Sequence, residues 1–349
     1  MSETEPKPPK PSRRGYILLI VALVVVIVGW SAAWLYGRSV LAGQLDLQMQ
    51  RMAGQGLDLT CADLGIAGFP FRYEVACSDM QSADRRGTTG SLGGLNAVAL
   101  VYNPWHVILE ARSPAAMAAP VTGLTGDVSW ETARASVKFS ESALGALDAV
   151  VDKPEAAFGT MISAGRFSAD KAEIHLREAP DTQGMLEGFV TIDRLALNSV
   201  PELDQTLMLR GHVRIDGGMV LLAGADLFSL VQAQGGELPV RLMLAEAVLG
   251  QSNAAASGDL VLAGDGTVSG TLEVTVGNAE ALLQSLRPLF APGDQTFALL
   301  EGVVKSLDAA ATEVDGVRSI KIPVTVTSGL VQVGLLPVAR IPPLFPAGI

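Results

Sequence analysis

Gly15 to Gly37 is a run of 23 residues without a charge, and Ile17 to Val28 within it contains only Ile, Leu, Val and Ala. A helix rises about 1.5 Å per residue, so about 20 residues cross a hydrocarbon core of about 30 Å. The run therefore predicts one transmembrane helix over 15–37. Tyr16 at one end and Trp30, Trp34 and Tyr36 at the other suit the two interfaces, where amphipathic rings settle. Arg13 and Arg14 precede the run, so the positive-inside rule keeps the N-terminus in the cytoplasm and exports the remainder. Two rivals exist for this segment. Ser31-Ala32-Ala33 offers small residues for a cleaved signal, but the run is long and continues into Trp34. Ser12-Arg13-Arg14 before the run is a loose twin-arginine signal. All three readings place the rest of the chain outside the cytoplasm.

Residues 1–14, rich in Pro, Lys and Ser, are expected to be a disordered cytoplasmic tail. They carry Lys7, Lys10, Arg13 and Arg14 against Glu3 and Glu5, which leaves −13 on the remainder of a chain whose net charge is −11. An acidic exported domain repels phosphate backbones, so nucleic acid is excluded as a partner. Residues 38–56 continue as a helical stalk. Leu41, Leu45, Leu47, Met49 and Met52 make an apolar stripe, and Gly54 and Gly56 stop it.

Residues 57–349 read as a β-rich extracytoplasmic domain. Alternation in Leu57–Cys61 and Tyr73–Cys77, on either side of a Gly/Pro-containing centre, predicts two neighbouring strands. Cys61 and Cys77 are the chain's two cysteines, and outside the cytoplasm they are expected to form a disulfide. Further alternating segments are Asn96–Arg112, broken at Asn103-Pro104, then Asp127–Phe139, Ala172–Arg177, Phe189–Leu197 and Thr206–Ile215. Gly87 to Gly94 is Gly-rich and reads as a loop. Asp216-Gly217-Gly218 and Gly264-Asp265-Gly266 predict hairpins, each followed by a helix, over 225–234 and over 279–286 behind Asn278. Lys321–Thr327 and Gly329–Gly334 form a last hairpin. The Pro-rich tail after Leu335 cannot be a membrane helix, and is expected to pack on the domain or along a sheet edge. The fold class is α+β and β-dominated: one transmembrane helix, then a twisted, mostly antiparallel sheet with a few covering helices.

No catalytic or metal-binding signature emerges. His106, His175 and His212 each lie inside an expected strand, away from any Gly-x-Ser-x-Gly. There is no His-x-x-x-His or Cys-x-x-Cys, and the acidic residues are scattered singly. No cofactor is expected. The chain resembles a bacterial family catalogued as a domain of unknown function, number 2125. The likeness rests on the N-terminal membrane helix, on Gly68-Phe69-Pro70-Phe71-Arg72, on Asn103-Pro104-Trp105-His106, and on Ser328–Gly334 leading to Pro342-Pro343-Leu344-Phe345. The late hairpin is also similar to large envelope proteins of the AsmA type, which are β-rich and linked to outer-membrane lipid homeostasis. The first resemblance implies architecture and no activity. Two functions compete. One is a non-enzymatic envelope protein of the bacterial inner membrane, binding lipid or an envelope protein in a groove of its sheet. The other is a hydrolase of envelope polymers, which needs His106 or His175 beside a Ser or Asp in a pocket.

Overall fold

The computed structural model describes residues 13–120, 123–140, 144–160, 164–290, 293, 295–308, 311–314, 316–334 and 336–345. Most of the expected tail, residues 1–12, and the end of the chain, 346–349, lie outside the described residues. Helix α1 (Arg13–Gln55) is continuous through the apolar run and the stalk, and it is long and apolar enough to cross a membrane. Gly56, at φ +92°, ends it in the left-handed region that glycine adopts without penalty.

A single antiparallel sheet follows. Strands β1 (Leu57–Ala62), β2 (Gly65–Ala67), β3 (Arg72–Cys77) and β4 (Asp79–Asp84) build one edge of the long β5 (Thr89–Leu100). β3 takes the second half of β5 and β4 the first; β2 pairs with β3, and β1 with β4. The other edge of β5 is β6 (Asn103–Ala119). Here the sheet divides between β7 (Leu124–Ser129) and β8 (Thr132–Phe139), which take the second and first halves of β6. One row continues through β8 and β9 (Leu144–Asp152), the other through β7, β10 (Glu155–Gly159) and β11 (Ala164–Ser168). β12 (Lys171–Glu178) extends the first row, and both rows rejoin on β13 (Leu186–Leu197). The sheet then runs on through β14 (Leu207–Ile215), β15 (Glu237–Leu249), β16 (Ser252–Ala263) and β17 (Val268–Gly277). Helices α2 (Met219–Leu222) and α3 (Leu227–Ala233) lie between β14 and β15; α4 (Ala279–Leu286) and α5 (Gln295–Asp308) follow β17. Short β18 (Thr312–Val314) then turns back into β19 (Val317–Thr327), which joins β17; β20 (Leu330–Val333) and β21 (Leu336–Arg340) finish the sheet.

A crease separates the two rows. It passes through Gly93-Gly94, Trp130-Glu131, Lys153-Pro154, Ala169-Asp170 and the bulge at Arg194. Backbone bonds run along it in succession, from Glu131 N–H to Asp152 O (3.0 Å), Lys153 N–H to Asp170 O (2.8 Å) and Asp170 N–H to Asp193 O (3.0 Å). Each irregularity shifts the side-chain alternation, so that apolar residues resume on the same side of the sheet beyond it.

Several expectations change. Gly87–Gly94 is a loop only at its start, because Thr89 onward is strand. A Cβ on Gly93 would stand 2.5 Å from the Ser113 carbonyl oxygen, so the glycines serve the close approach at the crease. The expected strand Asp127–Phe139 is two strands broken by that crease. Cys61 and Cys77 are bonded (S–S 2.04 Å), but they do not lie on paired strands: β1 pairs with β4 and β3 with β5. Asp216-Gly217-Gly218 turns into α2 instead of a returning strand, so hairpin–helix does not occur twice. The second unit has β16 and β17 around Gly264-Asp265-Gly266 and α4 ending at Leu286 as expected, but the Asn278 side chain donates to the Gln251 carbonyl (2.7 Å) instead of capping the helix. The tail does both things expected of it: β21 lies along β20, and Phe345 packs edge-on against Phe228 with ring centroids 5.6 Å apart.

Candidate functional site

The strand registers place one unbroken apolar line across the sheet. Ile66 lies opposite Val75, Val75 opposite Ala97, and the line continues through Leu109, Ala135, Ala149, Ile174, Val190, Gly211, Ala245, Ala256 and Val274 to Ile322. One residue further along each strand the side chains point the opposite way. That line reads Asn96, Glu110, Arg134, Val150, Glu173, Thr191, Arg210, Glu246, Ala255, Thr275, Lys321. Period-two alternation in each strand thus yields one apolar and one polar face.

The apolar face is covered in places. Leu230 and Val231 of α3 close over Leu238, Leu262 and Val268, all five buried, and partly buried Phe345 is added from the tail. At the opposite strand ends α4 contributes buried Leu283, and the Ser252 hydroxyl donates to the Asn278 carbonyl (3.0 Å). Between these covers the face is open: Val190 is 41% exposed and Ile174 38%. A concavity of about 400 Å³ lies there, with Val190, Ile192, Leu209 and Val274 around a floor of Ala245, Ala247, Ala254 and Ala256. The alanines make the hollow, because branched neighbours stand higher than a methyl group. A larger concavity of about 590 Å³ lies over Asp58, Thr60, Gln81, Ser91 and Asp127, with Ala116, Met117 and Ala118 among its lining, so that carboxylates and amides interrupt its apolar surface.

The polar face carries the three histidines. His106 Nε2 lies 2.9 Å from Ser136 Oγ, and His175 Nδ1 lies 2.8 Å from Asp148 Oδ1. Ser136 and Asp148 are directly opposite on β8 and β9. The acid therefore orients one imidazole while the hydroxyl meets the other, whereas acyl transfer needs both on a single imidazole. His212 stacks on Phe189 (4.0 Å between centroids) and bonds Glu187 (3.0 Å). Glu187 is 2% exposed and also accepts from Arg177 and Arg214. Burial alone would raise its pKa, but the bonds from Arg214, His212 and Arg177 prevail and hold it at about 2. Among the described residues no three His, Cys, Asp or Glu side chains are placed to share a metal ion.

The two segments that carried the family resemblance meet at one end of the sheet. Val101 N–H, in the turn before Asn103-Pro104-Trp105, donates to the Phe71 carbonyl (3.0 Å). The Gly68–Arg72 loop packs on α1: Trp34 lies edge-on to Phe69 (5.4 Å) and stacked on Tyr73 (5.5 Å), and Trp30 lies 6.2 Å from Phe71. Arg72 pairs with Glu74 at 3.0 Å. The contacts with α1 span about 40 residues of sequence, and only the aromatic composition of both segments hinted at them. No curated protein and no solved structure matches the chain. Residues 34–342, from the buried Trp34 to the Pro-rich tail, match the model of a family described as "Uncharacterized protein conserved in bacteria (DUF2125)", and the chain belongs to that family.

Proposed function

We propose that this is a non-enzymatic, single-pass protein of the bacterial inner membrane, with a cytoplasmic N-terminus, whose periplasmic sheet holds lipid acyl chains on its open apolar strip. The observation that carries the reading is the uncovered stretch around Val190, Ile192 and the alanine floor. Apolar surface left in water is unfavourable by roughly 25 cal/mol per Å², and a continuous apolar strip in a folded protein marks a binding site more often than an accident. The hollow falls within the ~300–1,000 Å³ range of small-molecule sites. Its lining offers hydrocarbon to hydrocarbon, as acyl chains require. Arg13 and Arg14 support the orientation, and the Cys61–Cys77 bond suits an oxidising compartment. The polar reverse face, laced by ion pairs such as Arg210–Glu246 and Lys321–Glu273, is the side expected to meet water.

A photo-crosslinking residue at Ile192 of the full chain, expressed in cells, tests the reading. Phospholipid should be captured there and not by the same probe at Thr191, one residue away on the opposite face. Equal capture at both positions, or none at either, overturns it. The hydrolase reading draws on the His106–Ser136 and His175–Asp148 pairs. It would gain if Ser136→Ala abolished a cell-envelope phenotype that the Ile192 probe position leaves intact.

A further inference from the structure

Three residues spaced four apart on α1 hold the start of the sheet. The Arg38 side chain donates to the Ile66 carbonyl (3.0 Å), Trp34 Nε1 to the Arg72 carbonyl (3.0 Å) and Trp30 Nε1 to the Pro70 carbonyl (2.8 Å). Residues 30, 34 and 38 share one helix face. Arg38 is the first charge after the apolar run, and Trp30 lies eight residues before it, about 12 Å deeper along the axis. The loop tip is therefore tied to the membrane helix inside the apolar run, below its charged boundary.

Four of the five carbonyls of this loop have partners within the protein, as this depth demands. Backbone polar groups in lipid must be satisfied within the protein. Pro70 has no N–H to satisfy, and its carbonyl is taken by Trp30. The Phe71 carbonyl accepts from Val101 N–H, the Arg72 carbonyl from Trp34, and the Gly68 carbonyl from Arg72 N–H. Outward at the tip stand Phe69, 55% exposed, and Phe71, 61%, while the Arg72 guanidinium, 55% exposed, is paired with Glu74 at the base of the loop. The neighbouring turn adds Tyr102 at 75% and Trp105 at 57%. Two phenylalanines at the tip, with a tyrosine and a tryptophan beside them, match the preference of Phe for hydrocarbon and of Tyr and Trp for the interface.

We infer that this end of the sheet, the Gly68–Arg72 loop with the Val101–Trp105 turn, is inserted into the lipid leaflet on the sheet's side of the membrane. The apolar face begins there, at Tyr73 and Ala99, so a chain leaving the leaflet meets the face without passing through bulk water. That last step rests on the lipid-holding function proposed above; the insertion itself does not.

Because Cys61 and Cys77 are bonded to each other, a cysteine placed at Phe71, at Tyr102 or at Gln332 in the far strand β20 can be labelled alone with an environment-sensitive fluorophore. The full chain is reconstituted into vesicles of phosphatidylethanolamine and phosphatidylglycerol carrying acyl-chain spin labels, with a label at Ile27 as the embedded reference. Labels at 71 and 102 should be quenched several-fold more than the label at 332, with bluer emission. Tyr102→Cys keeps the test valid if Phe71→Cys disturbs packing on Trp30. If the Ile27 label is quenched while both 71 and 102 behave like 332, the insertion is wrong. Quenching at 71 and 102 with no lipid captured at Ile192 would instead leave the insertion standing and remove the lipid-holding function.

Discussion

The corner under α3 and the strip around Val190 are built from the same alternation, yet one is core and the other is open. Leu238 and Val231 are 0% exposed, while Val190 keeps 41% of its surface in solvent. The difference lies in the connections. Between β14 and β15 the chain spends Asp216 to Gly236 on α2 and α3, and after β17 it spends a longer stretch on α4 and α5. Both connections cover only strand ends, α3 over Leu238 and Leu262 at one end and α4 beside Ser252 at the other, so the middle of β13 to β17, with Val190 and the alanine floor, stays open. Whether an apolar sheet face is core or site is thus decided by what its loops can reach. Substitutions with unlike effects in the two regions can break or sharpen this contrast.

The largest effect is expected at Leu238→Ala. A fully buried leucine loses its transfer energy and leaves a cavity, together about 4 kcal/mol. Denaturant unfolding of the lipid-free protein should show it directly. A loss below about 1 kcal/mol would mean that the corner is no better packed than the strip, and the contrast would disappear.

Next comes the disulfide. Replacing both Cys61 and Cys77 by Ser opens a loop with a sequence separation of 16 and should cost about 3 kcal/mol in the chain-entropy model. The loss should concentrate at the membrane end, read as faster hydrogen exchange in β1 to β4 with little change in β15 to β17. Uniform acceleration would show that the two ends unfold as one unit.

Glu187 gives a smaller effect with a definite pH window. Its folded pKa, about 2, lies below the usual 4.5. The folded state therefore favours the ionised form, and the unfolded state binds the proton more readily. The stabilisation is complete above about pH 4.5 and fades as pH falls toward 2. Glu187→Gln should cost about 2 kcal/mol at neutral pH, where charged hydrogen bonds to Arg177 and Arg214 are lost. It should also flatten the dependence between those pH values. An unchanged acid slope in the variant would assign the pH dependence to other carboxylates.

Much of this architecture was legible from residue types. The alternation of Ala172–Arg177 and Thr206–Ile215 placed β12 and β14 with the correct faces, because period two is a local property, whereas Phe189–Leu197 reads as one alternating run and is broken by the bulge at Arg194. The crease was not legible. Gly90, Gly93 and Gly94 look like loop residues until Ser82, Arg112 and Ser113 are seen pressed against them. The cysteine pairing was readable from composition, but the strand order was not, since β4 takes the place beside β1. The site was half legible. Apolar residues could be assigned to one face, but coverage of that face depends on where α2 to α5 settle. The role of Gly68–Arg72 depends on indole N–H groups some 40 residues earlier, which no local pattern records.

The smallest effect on folding is expected where function is proposed. Val190→Asp puts a carboxylate on a side chain already partly in water, so the lipid-free protein should lose no more than about 1 kcal/mol. The same charge at Leu238 should prevent folding, because an unpaired buried carboxylate has no compensating partner. Added phospholipid should raise the melting temperature of the parent protein by mass action and raise that of Val190→Asp much less. The pair of measurements separates two causes that a single binding assay confounds. If the lipid-free Val190→Asp protein is destabilised as severely as a core variant, then Val190 is core, and the open strip is not an acyl-chain site. If it folds normally and still gains the full stabilisation from lipid, lipid binds elsewhere, and the membrane-inserted rim at Phe71 becomes the first place to look.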